Sequence, residues 1–198
     1  MSTNFNYCVF SIFCIEDFNK ILDAIKIIYE SELKEKKADI YNSIFDIDKF
    51  INPPSGGKHL PRFCCWKNEL YKDKIFFISN YEDGLINLCK QIQIKLECSL
   101  IMCAMSNNLT YPKYMFYYLN QSENERLIQV YKEDKWIFYE KGYALPFENV
   151  NFYKKRQIRE RLNNEIIYYY LNKNGIDFES IDKKVITFLS SLVSIGNI

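Results

Sequence analysis

Three consecutive segments of this 198-residue chain alternate apolar and polar residues with the period of a β-strand. They are YPKYMFYYLN (111–120), ERLIQVYK (125–132) and KWIFYEKG (135–142), and short polar turns separate them. Connections this short join antiparallel neighbours, because a parallel crossover needs about a dozen residues or more. The segments therefore predict a strand meander, which restricts the fold to classes that contain an antiparallel or mixed sheet.

The part of the chain before the meander combines strand patterns with helix patterns. Residues 5–14 (FNYCVFSIFC) and 74–79 (KIFFIS) are rich in β-branched and aromatic side chains, which is typical of strands. Apolar residues at helical spacing follow each of them and predict amphipathic helices over 15–37 and 85–97. The nearly continuous apolar run CSLIMCAM (98–105) predicts a central strand covered on both faces.

The remaining segments complete the prediction of the fold class. Residues 38–73 are the least regular part, and only a short helix fits their pattern. Residues 151–175 predict a helix that stops at Asn-Gly, and residues 176–193 predict a second one. Runs of strands followed by runs of helices are typical of α+β proteins. We therefore expect a single α+β domain over 1–198, in which amphipathic helices pack on an antiparallel or mixed sheet and two helices lie at the C-terminus.

Composition and charge argue against a nucleic-acid or membrane partner. The formal net charge is +1, which gives no global attraction to nucleic acid or to an anionic membrane. No apolar run approaches the length of a membrane-spanning helix, and the first residues do not resemble a secretory leader. The seven cysteines are scattered through apolar runs, as reduced buried thiols are. We therefore expect a cytoplasmic protein without a membrane partner, and the abundance of Ile, Lys and Asn suggests a bacterial source.

The stretch NPPSGGKHLPRFCC (52–65) contains the only histidine and two adjacent cysteines. It lacks the first glycine of a phosphate-binding loop, and adjacent cysteines are poorly spaced for one tetrahedral metal ion. A cysteine nucleophile, Cys64 or Cys65, with His59 as its base stays open as an enzymatic alternative. The apolar residues on either side of the cysteines favour packed, inert thiols within a loop and core segment. Since no other catalytic motif is present, we expect no enzyme, no metal and no cofactor.

The densest positive feature is the run KKRQIRER (154–161). On the predicted helix 152–174, Lys155, Arg156 and Arg159 share one face, away from the apolar stripe. Such a face suits an acidic protein or the phosphates of a nucleic acid. The alternative is a solvated face held by ion pairs within the helix.

Residues 135–175 resemble a known class of protein as a unit. A strand that carries Trp136 ends at Gly142, a Leu-Pro-Phe-Glu corner follows at 145–148, and an Arg-rich helix ends at Asn-Gly. This segment resembles the small cytosolic immunity proteins of bacterial polymorphic-toxin systems of the contact-dependent growth inhibition type. The resemblance covers about a fifth of the chain and implies a protein that neutralises a toxin delivered by cell contact. Because such proteins vary widely in fold, it implies no site residues.

The corner at 145–148 also has a structural interpretation. Pro146 ends the strand, because proline cannot continue a hydrogen-bonded ladder. Leu145 and Phe147 are expected to fold back on the core, and Glu148 to pair with the basic helix that follows. We therefore expect the corner to lock the sheet to the C-terminal helices.

These observations lead to a first hypothesis, a cytosolic immunity protein that occludes the active site of a cognate toxin. Tyrosine and arginine dominate binding hot spots, so we expect the partner to contact exposed tyrosines of the meander and the basic helix. The expected contact residues are Tyr117, Tyr131, Tyr139, Lys155, Arg156 and Arg159, with Tyr114 and Tyr118 as further candidates. The second hypothesis is a nucleic-acid-binding protein that uses helix 152–174, which the near-neutral charge disfavours. The third is the Cys/His-dependent enzyme. The sequence does not predict an oligomeric state.

Overall fold

The computed structural model describes residues 5–42, 50–54, 61–120, 122, 124–177 and 191–195. The strands in this part of the chain are β1 (Tyr7–Cys14), β2 (Ala38–Asn42), β3 (Arg62–Lys67), β4 (Ile75–Ser79), β5 (Ser99–Ser106), β6 (Lys113–Leu119), β7 (Glu125–Lys132), β8 (Trp136–Lys141) and β9 (Ser191–Ile195). They form one nine-stranded sheet in the order β2-β9-β3-β4-β1-β5-β6-β7-β8. Every pair of neighbouring strands is antiparallel.

Side-chain caps fix where two of the helices begin. The helices are α1 (Phe18–Ile28), α2 (Glu30–Lys34), α3 (Ile86–Leu96) and α4 (Asn164–Lys173). The carboxylate of Asp17 accepts a hydrogen bond of 2.9 Å from the amide of Asn19 at the start of α1. Asn163 caps α4 in the same way, because its side chain accepts from the amide of Ile166 at 3.0 Å. The helix predicted over 15–37 is interrupted at Tyr29, where α1 ends and α2 follows.

The helices cover both faces of the sheet. On one side, which we call the α1/α3 face, α1 and α3 pack on alternate strand residues such as Val9, Phe77 and Met102. On the other, the α4 face, α4 and the chain leading into it pack on residues such as Phe10 and Phe116. The sheet is therefore buried on both sides at its centre, as the apolar run in β5 predicts.

The predicted fold class is confirmed, since strands and helices form an α+β arrangement around a meander. The three meander strands were predicted at 111–120, 125–132 and 135–142, and β6, β7 and β8 fall inside these bounds. Of the two sheet types left open, the antiparallel one is present among the described strands. The central strand, β1, β4 and the helix before β5 also lie where the pattern predicts them.

Three of the described strands, β2, β3 and β9, were not predicted. Residues 38–73 contain the strands β2 and β3, although their pattern predicts neither. Residues Ser191–Ile195 form β9, where the helix predicted over 176–193 would end. The backbone of β9 bonds on both sides, with Val193 registered opposite Ile40 and Phe63, and this pairing overrides a local helical spacing. The rest of the second C-terminal helix, residues 178–190, and the short helix near 44–49 lie outside the described residues.

Candidate partner-binding surface

The predicted contact tyrosines are divided between the faces of the sheet. Tyr117 is 1% exposed and lies under α3, with the Nζ atom of Lys90 5.0 Å from the centre of its ring. The expectation that Tyr117 is at the surface is therefore wrong. Tyr114 and Tyr118 point to the α4 face and pack, partly buried, against the core there. Successive side chains of a strand alternate between faces, so tyrosines that are close in sequence do not form one surface.

Tyr131 and Tyr139 do lie together on the α1/α3 face, near the edge of the sheet. Tyr139 is registered opposite Gln129, and Tyr131 opposite Ile137. Tyr139 is 47% exposed, and the other three side chains are partly buried, unlike the fully covered residues at the centre of the sheet. These four residues form a surface that we call the tyrosine patch. Its rings and aliphatic side chains supply apolar area with polar tips, as binding surfaces do.

An open cleft adjoins the tyrosine patch. It has a volume of about 500 Å³ and includes Tyr131 in its lining. Lys113 and Glu82 lie opposite each other in it, with Nζ and Oε1 3.4 Å apart, and Tyr111 is 66% exposed at its rim. The cleft extends the area that a partner could contact beyond strands β7 and β8.

The basic run 154–161 is not part of a helix, which corrects the prediction for 152–174. The chain forms two short 3-10 turns, Phe152–Lys154 and Ile158–Glu160, and α4 begins only at Asn164. The dense positive charge opposes the dipole of a helix that starts there, and the cap by Asn163 starts the helix after the charges end. The geometry that would place Lys155, Arg156 and Arg159 on one helical face is therefore absent.

Lys155, Arg156 and Arg159 are nevertheless exposed, and the segment that carries them packs near strand β8. The guanidinium of Arg161 lies 5.2 Å from the ring centre of Phe138, and its Nε donates to the carbonyl oxygen of Lys155 at 2.9 Å. Arg159 donates to Gln157 rather than to a carboxylate. The run thus lies against the α4 face of β8, while the tyrosine patch occupies the opposite face.

The corner at 145–148 is fixed by a buried ion pair that the sequence does not reveal. Nη2 of Arg126, on β7, lies 2.8 Å from Oε2 of Glu148 and 2.8 Å from Oε2 of Glu140. Nε of Arg126 bonds to both carboxylate oxygens of Glu148, which also accepts from the hydroxyl of Tyr153 at 2.7 Å. Glu148 was predicted to pair with the basic helix 152–174; that segment bonds to it through the hydroxyl of Tyr153, but its charged partner is Arg126. Arg126 lies on strand β7, 22 positions before Glu148, so the short spacings that identify ion pairs within a helix do not indicate it.

The corner does lock the sheet to the C-terminal segment, as predicted. The ring of Phe147 packs at 6.1 Å on Phe116 and at 6.0 Å on Tyr170 of α4. The hydroxyls of Tyr153 and Tyr170 are 2.6 Å apart. An open cleft of about 820 Å³ is lined by this corner and α4, and the carboxylate of Glu148 in its wall is the one that holds Arg126. We assign this network an architectural role.

Burial and hydrogen bonding shift the pKa values of Arg126, Tyr153 and Tyr170 in this network. Burial by itself lowers the pKa of Arg126. The hydrogen bonds to Glu148 and Glu140 more than offset this effect, so the pKa is raised overall and the guanidinium stays charged. Burial, followed by the hydrogen bonds to Tyr170 and Glu148, raises the pKa of Tyr153. Burial also raises the pKa of Tyr170 to about 12. At neutral pH the guanidinium of Arg126 is therefore charged, and the hydroxyls of Tyr153 and Tyr170 are protonated.

The cysteines of the 52–65 stretch lie in strand β3. Cys64 is 1% and Cys65 0% exposed, and the two side chains belong to the cores on opposite faces of the sheet. Burial raises the pKa of both thiols. The prediction that they are packed is confirmed, whereas His59 lies outside the described residues.

The described residues provide neither a metal-binding cluster nor a membrane-spanning helix. They contain no cluster of three or more His, Cys, Asp or Glu side chains placed to bind a metal ion. Among the described helices, none combines the length and the apolar character needed to cross a bilayer. No protein-family model, no curated protein and no solved structure matches this chain.

Proposed function

We propose that the protein is a bacterial cytosolic immunity protein, which binds a cognate toxin and occludes the toxin's active site. The observation that carries the proposal is the exposure of Tyr139 on edge strand β8, with partly exposed Tyr131 beside it and the basic run 154–161 on the other face of β8. Tyrosine and arginine are the residues that dominate protein–protein hot spots. The resemblance of residues 135–175 to immunity proteins supports this class of function and assigns no contact residues.

An inhibitor needs a rigid surface more than it needs catalytic groups. The strands under the tyrosine patch belong to a continuous ladder, and the corner behind β8 is anchored by Arg126 and Glu148. A surface held in this way loses little conformational entropy on binding. The proposal requires no cofactor, no metal and no reaction.

The test begins with affinity capture from lysate of the source cell, with nuclease treatment as a control. A stoichiometric protein partner is then expressed alone in a susceptible host and together with this chain. The proposal predicts that the partner alone stops growth and that co-expression restores it. A captured partner that is harmless, or one whose toxicity persists on co-expression, would contradict the proposal. Recovery of nucleic acid that disappears on nuclease treatment would favour a nucleic-acid-binding protein instead.

The matched control in the growth assay is a pair of tyrosine variants. Tyr139 on β8 and Tyr41 on β2 are each 47% exposed, and they lie on the two opposite edge strands of the sheet. Tyr139→Ala is expected to lose protection, and Tyr41→Ala to retain it. Equal protection by both would place the toxin elsewhere on the surface.

A further inference from the structure

Strand β8 has one side to which no described strand pairs. Main-chain groups of an antiparallel strand point alternately to its two sides. The amide of Lys132 donates to Pro112 on the β6 side at 3.0 Å, and the amide of Glu133 donates to Lys135 on the β8 side at 3.2 Å. The odd-numbered residues of β8 therefore bond to β7.

The alternation leaves the main-chain groups of Trp136, Phe138 and Glu140 pointing away from the sheet. Each contributes a donor and an acceptor to the open edge. The strand has six residues, which corresponds to roughly 20 Å of edge. A row of this kind is the template to which an extended segment of another chain adds.

The two faces beside this edge differ in chemistry. On the α4 face, the run 154–161 contains five basic residues and one acidic residue, a net charge of +4. Since the whole chain has a net charge of +1, the other residues together carry −3. On the α1/α3 face, the edge adjoins Ile137 and Tyr139 of the tyrosine patch.

We infer that an extended acidic segment of the partner pairs with β8 as an additional strand. The side chains of a strand alternate between faces, so its carboxylates lie towards the run 154–161 and its apolar side chains beside Ile137 and Tyr139. The segment has a sequence in which acidic and apolar residues alternate. The inference rests on the proposed function, because the partner is the toxin.

Charge distinguishes this occupant from two others. A second copy of the chain pairing through β8 would bring two runs of net charge +4 next to each other, and their repulsion opposes such a dimer. A nucleic acid would neutralise the run, but phosphates only accept hydrogen bonds and leave the outward amide–carbonyl pattern of β8 unmatched. An acidic peptide strand satisfies both features.

The experiment uses ¹⁵N-labelled protein and a capped octapeptide in which valine and glutamate alternate. Hydrogen exchange is measured by NMR for each amide of β8. We expect the amides of Trp136, Phe138 and Glu140 to exchange at least about tenfold more slowly with the peptide, because they gain acceptors. The amides of Ile137 and Tyr139, which already bond to β7, should change little.

The controls separate charge from strand pairing. An octapeptide that alternates valine and lysine should not bind, and the variant Lys155→Glu, Arg156→Glu, Arg159→Glu should weaken binding of the acidic peptide by about tenfold or more. These side chains are exposed, so the variant is expected to fold. Equal binding of both peptides would overturn the inference.

Other outcomes would also overturn it. They are absence of acidic-peptide binding, protection of β2 amides instead of β8 amides, and protection that depends on protein concentration without peptide. A thymidine octanucleotide that binds while the acidic peptide does not would favour nucleic acid. The readout does not use the toxin. Growth protection with no peptide pairing would therefore refute this inference and leave the proposed function standing.

Discussion

The guanidinium of Arg126 and the carboxylate of Glu148 form an ion pair that is almost inaccessible to solvent. Nη2 lies 2.8 Å from Oε2, and the two side chains are 3% and 0% exposed. The pair joins strand β7 to the corner that follows β8, and Arg126 also donates to the carbonyl oxygen of Gly142 at 3.0 Å. The position of β8 relative to the C-terminal segment therefore depends on two residues that are 22 positions apart.

Loss of one charge from this pair should destabilise the fold strongly. Glu148→Gln leaves the buried guanidinium with only the half-exposed carboxylate of Glu140 as its counter-charge, and we expect the free energy of unfolding to fall by about 3 kcal/mol, the lower end of the range for a broken buried pair. Urea denaturation measures this change. Glu30→Gln, which removes an exposed carboxylate paired with Lys34, is the matched control and should leave the midpoint unchanged. Similar midpoints for the two variants would contradict the buried pair.

Replacement of Gly142 by alanine should prevent the chain from turning correctly after β8. Its φ angle is +84°, and an added Cβ would lie 1.9 Å from the carbonyl oxygen of Glu125. We expect Gly142→Ala to cost at least ~2 kcal/mol of stability. Gly175→Ala is the control, since Gly175 also has a positive φ of +73° but, within the described part of the chain, no atom lies within 4 Å of the added Cβ.

Thermal unfolding of the two glycine variants checks this prediction. Gly175→Ala should lose only about 1 kcal/mol, the usual cost of left-handed backbone for a residue with a side chain. If Gly142→Ala were no less stable than Gly175→Ala, the close approach of Gly142 to Glu125 would be refuted.

Stability should decline in alkaline solution because of the buried tyrosines. Burial raises the pKa of Tyr170 to about 12 from an ordinary value of about 10. The folded state therefore holds its proton more tightly than the unfolded state. This contribution is fully present below about pH 10 and is lost as the pH rises to about 12, at about 1.4 kcal/mol per pH unit.

Denaturation by urea at several alkaline pH values measures that slope. Tyr170→Phe removes one titrating group and should make the decline shallower, whatever its effect on stability at neutral pH. Tyr143→Phe, at a side chain that is 96% exposed, should leave the slope as it is. A decline of equal steepness in all three proteins would show that Tyr170 is not protected by the fold.

The thiols of Cys64 and Cys65 should be inert in the native protein. Their burial raises both pKa values, and both side chains are at most 1% exposed. A disulfide reagent at pH 8 should therefore react with them only as fast as the protein opens, whereas all seven cysteines should react at once in guanidinium chloride. Rapid native labelling of either residue would support the cysteine-dependent enzyme instead.

The sequence predicts the part of the fold that depends on local alternation. The strands β6, β7 and β8 are adjacent in the sheet and in the chain, so short turns and alternating residues suffice to place them. Strand β9 is different, because its two neighbours in the sheet, β2 and β3, are more than a hundred residues before it in the sequence. Its short apolar segment fits a helix or a strand, and only distant pairing decides between them.

The candidate surface is predictable in part for the same reason. The sequence predicts Tyr131 and Tyr139 as contact residues, and the register places them on one face, but the sequence predicts Tyr117 equally, and only the position of α3 explains why Tyr117 is buried. The sequence indicates that Glu148 forms a pair but gives no signal that Arg126 is its partner, since an isolated arginine is usually solvated. Their pairing follows from the tertiary fold.

The most direct test of the central claim is the affinity of the captured toxin for Tyr139→Ala and Tyr41→Ala, measured by calorimetry. The tyrosines are equally exposed and occupy opposite edges of the sheet. If the toxin binds at β8, Tyr139→Ala should raise Kd by about tenfold or more, which is ~1.4 kcal/mol, and Tyr41→Ala should leave it unchanged. An unchanged Kd for Tyr139→Ala, or a larger loss for Tyr41→Ala, would contradict the claim.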